Sequence, residues 1–209
     1  MADPIQAVKQ GYDAVSRRYR GDQFDASLDH YLDWISVILK GRKTGRTLDL
    51  GCGNGIPVAK HLADQGYAVT GVDLSEKQIE RARELVAGAT FICQDMTKLR
   101  FTKGSFTAVT AFYSIIHIPV EHHRQLLTNI FNWLHGGGYF IATLGASAWT
   151  GWEKDWLGVE GAEMYWSHAD RDTYYEWLTD IGFEVIEDRF IPEGNSGHQL
   201  FIAKKPSSY

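Results

Sequence analysis

The 209-residue sequence lacks any run of about 18 uncharged apolar residues, so nothing in it is expected to span a bilayer. Its opening, MADPIQAVKQGYDAVSRRY, lacks the apolar centre of a secretory signal, and a cytoplasmic location with no membrane partner is expected. Cysteine is scarce. Cys52 and Cys93 stand alone rather than in a Cys-x-x-Cys pair, which argues against a disulfide framework and a zinc cage and leaves both to be read as small buried residues. Basic charge is also short: 21 Lys and Arg face 26 Asp and Glu, for a formal net charge of -5. Such a chain has no basic stripe to displace counterions from phosphates, so no nucleic-acid partner is expected. The cluster Lys40, Arg42, Lys43, Arg46 is too brief to change this and reads as a solvated loop. Repeats, low-complexity stretches and linkers are absent, and the length suits one sizeable core, so residues 1–209 are expected to form a single domain.

Aromatic residues, by contrast, are abundant: 13% of the chain, with Trp149, Trp152, Trp156, Trp166 and Trp177 concentrated late. That density suits either a pocket for a flat or apolar ligand or a well-packed core. Ile5, Val8, Tyr12, Val15 and Tyr19 recur at helical spacing, as do Leu28, Leu32, Ile35 and Leu39, which predicts two helices in residues 1–40 separated by Gly21. From Arg46 onward short apolar runs alternate with helical stretches, the pattern of a parallel sheet covered by helices. Strands are expected near 46–50, 67–72, 90–94, 106–112 and 137–143, with helices near 56–65, 75–86 and 120–134. Residues 145–170 then lose regularity and read as a long aromatic loop, a lid over a ligand or a plug in its place. A helix near 171–181, a strand over 183–190, a turn at 192–197 and a strand over 198–204 follow, the last two strands antiparallel.

The sharpest local signal is Thr47-Leu-Asp-Leu-Gly-Cys-Gly-Asn-Gly55, a strand entering a glycine loop that opens a helix. Glycines there permit positive φ or close backbone approach, and the helix start suits a carboxylate or phosphate. About twenty residues on, Gly71-Val-Asp73-Leu-Ser ends the second strand with an acid placed to accept from both ribose hydroxyls. The loop is G-x-G-x-G, with Ile56 where a dinucleotide fingerprint has its third glycine, which weakens a nicotinamide-dependent reductase. A third acid, in Phe91-Ile-Cys-Gln-Asp95-Met, follows the third strand on the same sheet edge, where it can accept from an adenine amino group.

In this order the loop, Asp73 and Asp95 resemble the class I S-adenosylmethionine-dependent methyltransferases, and the likeness extends over most of the chain. The resemblance implies an α/β, Rossmann-like seven-stranded sheet of order 3-2-1-4-5-7-6, strand 7 antiparallel, helices on both faces and an N-terminal helical cover. It further implies S-adenosylmethionine as cofactor: Asp49, Gly51, Cys52, Gly53 and Asn54 at the methionine part, Asp73 at the ribose, Leu74, Asp95 and Met96 at the adenine. The segment Ala111-Phe-Tyr-Ser-Ile-Ile-His117 matches the family's fourth signature, so Phe112 brings its backbone to the cofactor, and Tyr12 and Tyr19 cover it.

Methyl transfer to a hydroxyl, amine or thiol asks for a base, and histidine is the side chain poised for that near neutral pH. His117 and His198 are the candidates; Tyr113, His117, Trp152, Trp156, Tyr165, Trp166, His168 and His198 are expected to surround a small-molecule acceptor. His122 and His123 read as the exposed start of a helix, and no spacing suggests a metal. The place after strand four reads Tyr113-Ser-Ile-Ile rather than the (D/N)PP(Y/F) suited to a flipped base or amide. A module that binds the cofactor without catalysis is the competing reading; the acceptor and the oligomeric state stay open.

Overall fold

Apolar runs between helices become strands of one sheet. The computed structural model describes residues 3–23, 29–41 and 44–207. Strands β1 (Arg46–Leu50), β2 (Ala68–Asp73), β3 (Thr90–Cys93), β4 (Phe106–Ala111) and β5 (Leu134–Gly145) run parallel; β8 (Glu184–Glu193) and β9 (Ser196–Lys204) complete the sheet in the order β3-β2-β1-β4-β5-β9-β8. β9 is antiparallel to both neighbours. With the insert strands β6 (Trp149–Glu153) and β7 (Met164–His168) set aside, this is the expected order, β9 being the antiparallel seventh strand.

Strand periodicity sends alternate residues to opposite faces, and both faces are buried. On β5, Phe140, Ala142 and Leu144 join Leu48, Leu50 and Val109 against α5 (His123–Trp133) and α6 (Arg171–Ile181). Ile141 turns the other way, with Val69, Ala108, Leu200 and Ile202, toward α2 (Asp29–Gly41), α3 (Val58–Asp64) and α4 (Glu76–Leu85). Helices α4 and α6 start at side-chain caps that each satisfy a free N–H group: Ser75 Oγ accepts from Gln78 N at 3.2 Å, and Asp170 Oδ1 from Thr173 N at 2.9 Å. α6 ends on Gly182 at φ 110°, a left-handed position that glycine adopts without strain.

The N-terminal helix α1 (Pro4–Tyr19) meets α4 through Lys9–Glu76 at 2.7 Å, through Ser75 Oγ, which donates to Asp13 Oδ1 at 2.5 Å, and through a buried cation at its C-terminal end. Arg81 donates to Ser16 O and Ser16 Oγ, each at 2.8 Å, to Arg20 O at 2.6 Å and to Asp22 Oδ1 at 2.6 Å. These bonds satisfy carbonyls at the open end of α1 and set the helix across the carboxyl edge of the sheet.

Four expectations are corrected. The 145–170 segment holds the hairpin β6–β7, in which Trp149 faces His168 and Trp152 faces Tyr165; alternating aromatics pair across two short strands. His123 is buried, because it shares the inward face of α5 with Leu126, Leu127 and Ile130. Its Nε2–H donates to Ile118 O and its Nδ1 accepts from Tyr174 Oη, both at 2.7 Å. Cys93 is exposed, at the end of the edge strand β3. The 192–197 turn tightens to Gly194-Asn195, because β8 and β9 pair as far as Glu193 and Ser196. Of the basic cluster, Arg42 and Lys43 lie outside the described residues. No helix among the described residues is long and apolar enough to cross a membrane.

Replacing Arg81 with Ala strips several buried acceptors of their donor at once and is expected to lower unfolding free energy by about 3 kcal/mol. Urea denaturation reads this directly; an unchanged midpoint would mean that α1 is held by other contacts.

Candidate active site

The site grows from the end of β1. Gly51 N and Cys52 N donate to Val72 O at 2.7 and 3.0 Å, so the chain leaving β1 stays tied to β2. Gly51 sits at φ 73°, and a Cβ there would run into the Ser114 side chain, whose Oγ donates to Leu50 O at 2.8 Å. Gly53, at φ 55°, has open space where a Cβ would stand. Its N–H donates to Asp73 Oδ2 at 2.9 Å, and Ser75 N donates to Asp73 Oδ1 at 2.9 Å.

The resulting cleft has two connected lobes. The larger, enclosing about 630 Å³ open to solvent, is lined by Asp73, Leu74, Asp95, Met96, Tyr113 and His117, with Ile5, Val8 and Tyr12 of α1 as its outer wall. Asp49, Cys52, Asn54 and Arg20 line the second lobe, and Tyr19, Gly51, Gly53 and Phe112 border both. Every residue expected to hold the cofactor therefore borders this one cleft. Some are also structural: Asp95 Oδ1 accepts from Thr97 N at 2.9 Å, capping a 3-10 turn, and Asn54 Nδ2 donates to Gly21 O at 2.8 Å.

The second lobe holds a buried acid and a cation. Asp49 is 4% exposed and accepts from Thr110 Oγ1 at 2.6 Å; burial pushes its carboxyl up to about 7, against the lowering effect of Thr110. Arg20, which the sequence reading missed, lines the same lobe. Its guanidinium donates to Ile56 O at 2.7 Å and to Tyr31 Oη at 3.2 Å, and lies 5.5 Å from the Tyr19 ring centroid. The available signal was its place directly after Tyr19 at the end of the helix. A cation and a buried acid in one lobe complement the two ends of an amino-acid zwitterion.

His117 lies at the cleft's inner wall, where its Nδ1–H donates to Tyr165 O at 2.8 Å. Nε2 is therefore left to accept from Tyr12 Oη at 3.0 Å. Burial pulls its pKa down to about 4, and the Trp166 ring covers it at 4.4 Å between centroids. Trp156 lies a step farther out, against Tyr12, Tyr19 and Trp166, and Tyr165 is buried in the same cluster. The rest of the expected acceptor set is dispersed. His198 stands behind Tyr113, ring centroids 5.0 Å apart, with Nδ1 3.3 Å from Glu193 Oε2. His168 lies under Gly145, where any Cβ would strike it, and borders an outer groove with Trp149 and Trp177. Trp152 is 44% exposed on the other face of the hairpin. Glycine at 145 thus answers to close packing.

Comparison with known proteins agrees with this geometry. Residues 47–138, from β1 through the glycine loop and β4 into β5, match a family described as methyltransferase domain. A putative methyltransferase of Geobacillus sp. (strain WCH70) is 32% identical, the match covering 93% of this chain and 99% of that one. The chain belongs to the class I S-adenosylmethionine-dependent methyltransferases. The 27-O-demethylrifamycin SV methyltransferase of Amycolatopsis mediterranei (strain S699) is 35% identical over 44% of this chain; the match spans only 36% of that protein's length. Among solved structures, magnesium protoporphyrin IX methyltransferase from Synechocystis PCC 6803 with bound S-adenosylmethionine shares the methyltransferase fold. Its TM-score is 0.70 at 20% identity, with 98% of each chain covered.

Among the described residues no group of His, Cys, Asp and Glu is placed to hold a metal ion. The two buried imidazoles give a titration test. Burial lowers His117 and His123 from 6.5 to about 4, so both stay neutral in the folded protein while the unfolded chain takes up protons. Their contribution to stability is complete above the unfolded value and is lost as pH falls through 6.5 toward 4. Nitrogen-15 NMR should show both rings neutral at pH 5.5, His117 protonated on Nδ1 and His123 on Nε2; midpoints near 6.5 would contradict the buried bonding.

Proposed function

We propose that the chain transfers the methyl group of S-adenosylmethionine to a small-molecule acceptor. The observation that carries this reading is the two-lobed cleft. Arg20 and Asp49 at one end suit the carboxylate and ammonium of a methionine moiety, and Asp73 and Asp95 at the other suit a ribose and an adenine. The orientation of Gly53, with open space before its α-carbon, lets the backbone approach the cofactor between them. Leu74 and Met96 supply apolar surface for the base, while Tyr12 and Tyr19 close the outer side.

When bound, the cofactor supplies a methyl group already activated by its sulfonium. The work left to the protein is to exclude water and to align an acceptor lone pair about 3 Å behind that carbon. The Tyr12–His117 unit borders the place where this happens. His117, neutral and fixed by Tyr165 O, aims its Nε2 lone pair at the Tyr12 hydroxyl and so orients the oxygen that faces the acceptor. Turning toward an acceptor proton instead, the same lone pair acts as base, assisted by desolvation but weakened by a low pKa. Burial lowers the pKa of His198 against the raising effect of the Glu193 carboxylate at its side, and Tyr113 separates it from the cleft.

Several observations support a small acceptor: net charge -5 without a basic stripe, Tyr113-Ser-Ile-Ile after β4, and the 27-O-demethylrifamycin SV in the name of the Amycolatopsis relative. The hairpin β6–β7 and α1 serve on this reading as the lid. A cofactor-binding module without catalysis is the second reading, favoured by one observation: Trp156 packs where an acceptor would reach Tyr12. Incubation with methyl-labelled S-adenosylmethionine and a small-molecule extract separates the two, since the enzyme labels a small molecule and the module labels nothing.

Three expected outcomes follow from the assignments. Asp73→Ala weakens S-adenosylhomocysteine binding by about a hundredfold or more by calorimetry, since two charged hydrogen bonds at about 1.5–3 kcal/mol each are lost. Unchanged affinity removes Asp73 from the site. Because Asp49 is neutral below about 7 and an ammonium requires it ionised, cofactor affinity rises with pH between 6 and 8 and flattens in Asp49→Asn. His117→Ala lowers kcat by about 100-fold or more while S-adenosylhomocysteine affinity moves little; equal kcat dismisses His117 from the chemistry.

A further inference from the structure

Trp156 is 6% exposed, yet the turn that carries it is strained. Asp155 and Leu157 on either side lie at φ 50° and 55°, a left-handed conformation that residues with a Cβ rarely adopt. Hydrogen bonds local to residues 155–162 close the turn: Trp156 N donates to Ala162 O at 2.8 Å, Gly158 N to Asp155 O at 2.8 Å, Val159 N to Trp156 O at 3.2 Å, Ala162 N to Val159 O at 3.1 Å and Gly161 N to Asp155 Oδ1 at 2.7 Å. The Leu157 side chain is 40% exposed, an apolar group left outside so that the indole goes in. What offsets the strain is the seat of the indole, with ring centroids 5.1 Å from Tyr12, 5.6 Å from Tyr19 and 6.2 Å from Trp166. Two walls of that seat, Tyr12 and Tyr19, also line the cleft. Trp166 Nε1 is buried with no hydrogen-bond partner, a donor lacking its acceptor beside the seat.

We propose that Trp156 sits in the methyl acceptor's own seat and gives way to it, and that the acceptor is a planar aromatic molecule of about indole size. A flat ring replaces the indole between the same aromatic walls, while an oxygen or ring nitrogen of the acceptor takes the hydrogen bond of Trp166. The strained turn keeps the exchange balanced, since releasing Trp156 lets Asp155 and Leu157 relax. An aliphatic acceptor of equal size gains neither the ring contacts nor a reason to expel an indole. The inference deepens the methyltransferase reading and rests on it, because the seat borders the reacting carbon only if the cleft holds S-adenosylmethionine.

The test uses the full chain saturated with S-adenosylhomocysteine, with 5-hydroxyindole as probe and cyclohexylmethanol as the aliphatic control. Failure of S-adenosylhomocysteine to bind at the outset sinks the function proposed above, independently of Trp156. Given that binding, Trp156→Ala removes the competing side chain and is expected to bind 5-hydroxyindole at least about tenfold more tightly than the wild type, the competent fraction having risen. Cyclohexylmethanol gains less than about threefold. No gain for 5-hydroxyindole, or an equal gain for both probes, overturns the proposal. Radical footprinting of the wild type gives an answer independent of the variant's folding. Oxidation of Trp156 should rise clearly when 5-hydroxyindole is added and stay flat with cyclohexylmethanol, whereas Trp156 protected with both probes contradicts the exchange.

Discussion

Asp73 holds the site together. One of its oxygens takes the N–H of Gly53 in the loop after β1, the other the N–H of Ser75 at the start of α4, so a single carboxylate fixes two backbone segments. That clasp depends on register. β1 and β2 pair with Leu50 opposite Val72, which sets Asp73 one step beyond the last residue of β1, level with the turn it must hold. Gly71 allows the tight packing underneath, since a Cβ there would meet the Phe91 ring and Cys52 Sγ. Burial raises the Asp73 carboxyl and the backbone donors pull it back, so an acid survives at a dry edge with lone pairs to spare for hydroxyl groups.

The same edge explains why so much is brought together from distant parts of the chain. Parallel strands all deliver their carboxyl ends to one side, and whatever follows each strand meets there. Asp49, Asp73, Asp95 and Phe112 arrive in this way. Tyr12, Tyr19 and Arg20 arrive by another route, on a helix clamped from outside by Arg81. The cover is thus held by polar bonds along its length, from Lys9–Glu76 and Asp13–Ser75 to the Arg81 clamp, and by aromatic contacts over the cleft.

Legibility in the sequence follows the range of the forces involved. The helices were legible because each buries one face, the central strands because a sheet buried on both faces asks for short apolar runs, and β9 read as antiparallel because a short turn permits nothing else. Most residues expected at the cofactor were legible because they sit at strand ends, where sequence order and position in space coincide, whereas Tyr12 and Tyr19 lie on α1. Acceptor residues depend instead on how the hairpin folds back, which is decided by long-range packing: Trp152 and Trp166 fall on opposite faces of two strands that read as a loop, and His168 is turned under Gly145. His123 was misread because its own identity suggested solvent, although its spacing to Leu126, Leu127 and Ile130 already placed it inward. Arg20 escaped notice for the opposite reason: a charged residue ending a helix is ordinarily a solvated cap, and only the fold turns it toward a buried acid.

The central claim is that one sheet edge grips the amino-acid end and the nucleoside end of a single cofactor. Backbone amide NMR during titration with S-adenosylhomocysteine tests it most directly. The account predicts large shifts grouped at residues 51–54, 73–75, 95–97 and 112–114, with the opposite edge of the sheet unmoved. Shifts centred elsewhere, with the amides of Gly51, Gly53 and Asp73 unchanged at saturation, would contradict it.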